Sequence, residues 1–164
     1  MNKQFDEVNM WTGSENVNYE YTQSANSLKV RFKKLYEDAV TPTYAKNGDA
    51  GLDLTATHMT FDESFIEYGT GIAVEIPEGY VGLVFPRSSV SKRENFYLKN
   101  SVGVIDSGYR GEIKLRFNIS EEHYGAGEKI GQLIILPYPT IYLEEVNELS
   151  STDRGQGGFG STGI

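Results

Sequence analysis

Along this chain, apolar and polar residues alternate with a period of two in one short run after another, and Gly and Pro cut the runs apart. Ile72, Val74 and Ile76 alternate with Ala73 and Glu75. Ile113, Leu115, Phe117 and Ile119 alternate with Lys114, Arg116 and Asn118, and Leu28, Val30 and Phe32 alternate with Lys29, Arg31 and Lys33. Successive side chains of a strand point to opposite faces, so this period predicts half-buried strands. Pro77-Glu78-Gly79 reads as a turn, and Tyr80 to Phe85 follows as a near-continuous strand. Leu133 to Leu136 reads as a buried run and Ile141 to Val146 as another strand. Helical period is scarce: only Ser88 to Glu94 predicts a short helix, with serines placed to cap it. Many short strands with one small helix predict an all-β sandwich, jelly roll or barrel.

The chain has 164 residues, which suits one domain with a sizeable core, and it shows no internal repeat or dividing linker. Residues 1–27 are rich in Asn, Ser, Glu and Thr without sustained period and read as an N-terminal extension, with Trp11, Tyr19 and Tyr21 as exceptions. Residues 28–149 then form the β core, and the Gly/Ser/Thr-rich residues 150–164 form a flexible C-terminal arm. The formal net charge of -8 argues against a nucleic-acid polymer as partner, which needs a basic face. A small phosphorylated ligand needs only a few local cations. With no Cys and only His58 and His123, disulfides, thiol catalysis and histidine or thiolate metal clusters are not expected. The opening MNKQFDEVNM has no apolar stretch, and no run approaches membrane-spanning length, so a cytoplasmic protein is expected.

Five segments carry the chemistry. RGQGGFGSTG, Arg154 to Gly163, meets the G-x-G-x-x-G pattern, but that fingerprint needs a preceding strand and a following helix. The segment is either a plain flexible tail or an arm that closes on a phosphate. The second reading uses backbone N–H groups, Ser161, Thr162 and Arg154, with Phe159 stacking on a base. PRSSVSK, Pro86 to Lys92, offers the planar fork of Arg87 and the hydroxyls of Ser88 and Ser89, either as an anion site or as an ordinary helix cap. In GVIDSGYRGEIK, Asp106 is either a turn-former before Ser-Gly or a general base for water. In AGLDLTA, Asp53 lies between two leucines, where a carboxylate is costly to bury without a cationic partner or a metal-bound water. In GEKIGQLII, Gln132 enters a buried strand.

In this order, AGLDL, PRSS, GVIDSGYRGE, GEKIGQL and RGQGGFGSTG resemble the five motifs of the homotrimeric dUTPase family, bacterial or phage type, from about Leu28 to Ile164. The second motif departs from the common PRSG, with Ser89 in place of the glycine, as in some bacterial and phage members. The N-terminal extension also lies outside the pattern. The resemblance implies a jelly-roll-like β-barrel or sandwich protomer in a homotrimer, with each active site shared among subunits. It implies Mg²⁺-dependent hydrolysis of dUTP to dUMP and diphosphate, which limits uracil in DNA and supplies dUMP for dTMP synthesis. Asp106 matches the acid that activates water. Tyr109 matches the ring against deoxyribose, and Asn100, with backbone at Gly103, Val104 and Ile105, matches the uracil reader. Arg87, Ser88 and Ser89 match the phosphate loop, Gln132 a phosphate-side donor, and Lys114 a position at the substrate site. Arg154, Phe159, Gly160, Ser161 and Thr162 match the closing arm. Mg²⁺ would be held by the phosphates and water, with Asp53 touching that shell only indirectly. A dCTP deaminase or bifunctional deaminase of the same fold is the alternative, and a non-enzymatic jelly-roll assembly is another. A deaminase must activate water at the pyrimidine ring, and no additional Glu-containing motif clearly supplies that role.

Overall fold

Nine short strands and one 3-10 turn make up the regular structure of the computed structural model, which describes residues 27–158. Phe159, Gly160, Ser161 and Thr162 of the arm lie outside the described residues, as do Trp11, Tyr19 and Tyr21. The strands are β1 (Arg31–Lys34), β2 (Leu52–Thr55), β3 (His58–Phe61), β4 (Ile66–Gly69), β5 (Ile72–Glu75), β6 (Tyr80–Pro86), β7 (Gly103–Ile105), β8 (Lys114–Phe117) and β9 (Lys129–Pro137). They form three sheets of order β1-β5, β2-β9-β6-β7 and β3-β4-β8. Every pairing among them is antiparallel, as expected for an all-β chain.

The core follows from the period-two runs. Leu115 and Phe117 of β8 are buried while Lys114 and Arg116 are exposed, and in β5 Ala73 is buried along with Ile72 and Val74, so that strand is covered on both faces. Fully buried Leu54, Ile66, Tyr68, Ile113, Ile130 and Leu133 join them. Each such aliphatic side chain contributes roughly 1.5–3 kcal/mol by leaving water. One end of the core is aromatic. Phe96 stacks on Phe117 at 4.6 Å between centroids, and Tyr68 and Tyr124 meet Phe117 edge-on at 5.7 and 6.0 Å.

Several local expectations differ from the structure, and the exposure of Leu136 and Ile119, both expected on buried faces, is among them. Residues 141–146 form no strand: Ile141, Tyr142 and Leu143 are exposed, and the segment has no ladder partner among the described residues. β-propensity reflects packing on a half-buried sheet and does not create a strand without a neighbour. The helix expected at Ser88 to Glu94 is a 3-10 turn over Ser88–Lys92. No serine caps it; Arg87 is the capping residue and gives no side-chain bond, while Ser91 Oγ donates to the Ser88 carbonyl at 2.7 Å. That local bond competes with a regular helix. Finally, β1 pairs with β5 alone among the described residues and is exposed on both faces, with Phe32 half exposed, as an edge strand is.

Candidate active site

The first, second and fourth motifs meet along β2, β9 and β6. Asp53 stands opposite Gln132 across the β2–β9 ladder, and Gln132 stands opposite Phe85 across the β9–β6 ladder. Gly131 makes this approach possible, since a Cβ there would lie 3.0 Å from the Phe85 carbonyl and 2.6 Å from Leu115 Cδ2. Asp53 is buried. Lys129 Nζ donates to its Oδ2 at 2.7 Å, Gln132 Nε2 donates to Oδ1 at 3.4 Å, and Arg87 Nε lies 3.5 Å from Oδ1. The cationic partner that a buried Asp53 demands is therefore supplied twice. The two cations exceed the one carboxylate, so this corner carries local positive charge in a chain of net charge -8.

Arg87 is further fixed by Nη1 donating to the Lys129 carbonyl at 3.4 Å, and Nη2 has no hydrogen-bond partner among the described residues. Ser88 is exposed, and Ser89 Oγ lies 3.2 Å from the Tyr124 hydroxyl. The 3-10 turn is too short to act as a helix dipole. Attraction for an anion here comes from the Arg87 fork and the hydroxyls.

The third motif forms a hairpin on β7. Val104 is exposed, and Ile105 packs on the core. The Asn100 side chain lies beside Gly103, whose Cβ would stand 3.7 Å from Asn100 Nδ2. Ser101, next to it, holds a left-handed backbone at φ 59, a sparsely populated state for a residue with a side chain. Past β7, the Tyr109 N–H donates to the Asp106 carbonyl at 3.0 Å, closing a turn through the backbone. The exposed Asp106 carboxylate has no hydrogen-bond or ion-pair partner among the described residues, so its side chain does not form the turn. The Tyr109 hydroxyl donates to the Glu112 carbonyl at 2.9 Å. Gly111 permits this fold-back, because a Cβ there would lie 2.3 Å from that hydroxyl oxygen. An open cleft of about 580 Å³ borders Ser107, Gly108 and Arg110, and is lined also by Lys29, Arg31 and Glu75, not by Arg87, Asp53 or Gln132.

One chain does not bring the two groups together. β7 pairs with β6 antiparallel, with Gly103 opposite Val84 and Ile105 opposite Gly82. Asp106 thus falls near the start of β6, and Arg87 follows its end. Six residues of extended strand separate these points by about 20 Å.

Lys114 is also in a different sheet from the strand that leads into Arg87, Ser88 and Ser89. It lies on β8, where Nζ donates to Glu67 Oε1 at 2.9 Å and lies 3.9 Å from Glu112. This hydrogen bond holds the Glu67 carboxyl below the usual carboxylate range, with Arg116 assisting, and raises the Lys114 amine above its usual value. In the arm, Arg154 Nε donates to its own neighbour's carbonyl at Gly157, 3.1 Å away, and touches none of the groups above.

The sequence model of the dUTPase family matches residues 37–163. The chain belongs to the dUTPase family. It is 42% identical over 131 residues to the deoxyuridine 5'-triphosphate nucleotidohydrolase of Cutibacterium acnes, covering 75% of this chain and 85% of that protein. It is 41% identical over 145 residues to the enzyme of the same name from a Hydrogenobaculum species, covering 84% and 99%. Among solved structures, a Staphylococcus bacteriophage 80alpha dUTPase with dUpNHpp is similar at TM-score 0.71 and 29% identity, covering 84% of this chain and 100% of that one. A dUTPase from phage phi11 of S. aureus, described with a structural Mg(II) ion, is similar at TM-score 0.64 and 28% identity, covering 76% and 100%. The jelly-roll-like fold class follows from these likenesses.

Two residues at the motifs of this dUTPase-family chain escaped sequence reasoning. Lys129 sits in the fourth motif, three residues before Gln132, and its signal was the unmet demand of Asp53 for a cation. Tyr124 precedes that motif and gave no signal, because its link to Ser89 spans 35 residues.

Proposed function

We propose that this dUTPase-family chain hydrolyses dUTP to dUMP and diphosphate, and that its active sites form between subunits of a homotrimer. The observation that carries the reading is the split of the motifs along β6. A free carboxylate, Asp106, stands at one end and an anion-suited loop at Arg87 at the other. A separation of about 20 Å is too long for one substrate to bridge from α-phosphorus to phosphate loop. Apposition of copies around a threefold axis brings Asp106 of one to the Arg87 loop of another.

In this assembly, Asp106 takes a proton from water as the water oxygen attacks the α-phosphorus in line. The bond to the bridging oxygen breaks and diphosphate leaves. Proton removal by a placed carboxylate accounts for roughly 10²–10⁴-fold of rate, and the rest comes from positioning and charge neutralisation. Arg87, Ser88, Ser89 and Gln132 hold the phosphates. Asn100 and the backbone of Gly103, Val104 and Ile105 read uracil, and Tyr109 packs on deoxyribose. Residues 28–149 are the core, and residues 150–164 are the arm that brings Arg154 and Phe159, with Gly160, Ser161 and Thr162, onto the nucleotide. Lys114 aligns with a position at the substrate site, and its amine is held there by Glu67. Product dUMP feeds dTMP synthesis and the loss of dUTP limits uracil in DNA, in a cytoplasmic setting.

The donor set fits Mg²⁺ carried by the substrate rather than by the protein. Both Asp53 oxygens are already engaged by Lys129, Gln132 and Arg87, and the described residues contain no group of three or more His, Cys, Asp or Glu able to hold a metal. Asp53 would meet the ion only through water. When bound, Mg²⁺ neutralises phosphate charge.

Diphosphate release from dUTP tests the reading, with ammonia release from dCTP measured beside it. Release from dUTP alone is expected. Ammonia without diphosphate assigns the chain to the deaminase reading. Light scattering of the intact chain is expected to give three copies, and a monomer that turns over dUTP would overturn the shared site.

A further inference from the structure

Ser89 occupies the motif position that is commonly glycine, and its hydroxyl meets a buried phenol. We infer that Tyr124 is a positioning residue for the phosphate loop, acting through Ser89. The inference rests on the assignment of Arg87 to Ser89 as that loop.

The Tyr124 ring is fixed from several sides. It is 2% exposed and meets Phe96 edge-on at 5.4 Å between centroids, with Tyr68 and Phe117 also against it. Its carbonyl accepts the Tyr68 hydroxyl at 3.0 Å. The Arg93 guanidinium lies 4.1 Å from the ring centroid, where it gains cation–π attraction. Arg93 is itself held by the carbonyls of Glu122 and His123 at 3.1 and 2.9 Å and by Glu128 at 3.4 Å. The phenol oxygen is thus a fixed point at the rim of the core, 3.2 Å from Ser89 Oγ.

The direction of that bond follows from satisfaction. A buried phenol needs an acceptor, and Ser89 Oγ is the one found among the described residues. Tyr124 therefore donates to Ser89, and the proton of Ser89 is left to point outward. A serine that donated inward would turn lone pairs toward an anion and leave the phenol proton unpaired. Glycine at this position would do neither. The pair turns the loop into an oriented hydroxyl donor whose rotamer is set before the phosphates arrive, which reduces the ordering cost of binding.

The test is a double-mutant cycle on the full chain with Tyr124→Phe, Ser89→Ala and both together. Tyr124→Phe keeps the ring under Arg93 and removes one hydroxyl. Each single change is expected to raise KM for dUTP about threefold to tenfold, the worth of one hydrogen bond, with kcat within about twofold. The double variant is expected to match Ser89→Ala, since Tyr124 acts only through the hydroxyl that this change removes. Magnesium tripolyphosphate affinity, read by calorimetry on the same four proteins, should fall in parallel. A lowered melting temperature with unchanged KM and unchanged tripolyphosphate affinity assigns Tyr124 to the core alone and overturns the inference, as do losses that multiply in the double variant. Should Tyr124→Phe fail to fold, Ser89→Ala against Ser89→Thr decides: the hydroxyl of Thr restores affinity if the inference holds. A parent protein that binds tripolyphosphate with this pattern yet releases no diphosphate from dUTP refutes the dUTPase reaction and leaves the Tyr124 role standing.

Discussion

Removing the Asp53 carboxylate is expected to cost less than removing the lysine that serves it. Asp53→Ala deletes a charge-assisted bond to Lys129 at 2.7 Å, a contact worth about 1.5–3 kcal/mol. Breaking a fully buried pair costs about 3–5 kcal/mol. Here the stranded cations are Lys129 and Arg87, whose side chains are 43% and 33% exposed, so water replaces much of what they lose. The expected loss is about 2 kcal/mol, or a fall of about 4–8 °C in melting temperature for a chain of this size. Lys129→Met reverses the situation. It strands a carboxylate whose side chain is 3% exposed, with Arg87 at 3.5 Å and Gln132 at 3.4 Å as the remaining partners. The expected loss is about 3 kcal/mol, nearer the buried-pair range. Thermal unfolding by circular dichroism measures both, at one protein concentration because the proposed trimer would make the midpoint concentration-dependent. A milder effect for Lys129→Met than for Asp53→Ala, or no shift in either, would refute the account of Asp53 as the buried member that needs its cations.

Asp106→Asn should keep the assembly and bind dUpNHpp, but slow diphosphate release by roughly 10²–10⁴-fold; near-normal turnover in a folded variant removes Asp106 as the base. Tyr109→Ala deletes the ring that Gly111 lets fold back onto Glu112, and kcat/KM for UTP should rise relative to dUTP; an unchanged ratio means the ring does not read the sugar. Lys114 holds the Glu67 carboxyl below its usual range. That pair therefore adds stability which is complete above the usual carboxylate range and is lost as pH falls through the lowered folded value. Glu67→Gln should flatten the acid limb of stability against pH, and an unaltered acid limb would discount the pair.

Local pattern determined the strands that bury one face. Leu115 and Phe117 are readable because alternation is a property of neighbouring residues, and a core face needs no knowledge of its partner strand, whereas the burial of Ala73 beside Ile72 and Val74 was not. The five motifs likewise identified the family. The demand of Asp53 for a cation was legible too, since a carboxylate between two leucines has that need wherever it is buried. The identity of the cation was not. Lys129 reaches Asp53 across 76 residues through the β2–β9 register, which contains a shift between Leu54 and Thr55 that no local pattern encodes. Tertiary structure also decided that Ile141 to Val146 forms no strand, since apolar residues with strand propensity need a ladder to join. It decided that Lys114 is committed to Glu67, and that Asp106 and Arg87 stand at opposite ends of β6. These are facts of long-range pairing, and pairing is set by which surfaces meet once the chain has closed on itself, long after the local pattern has been spent on choosing strands.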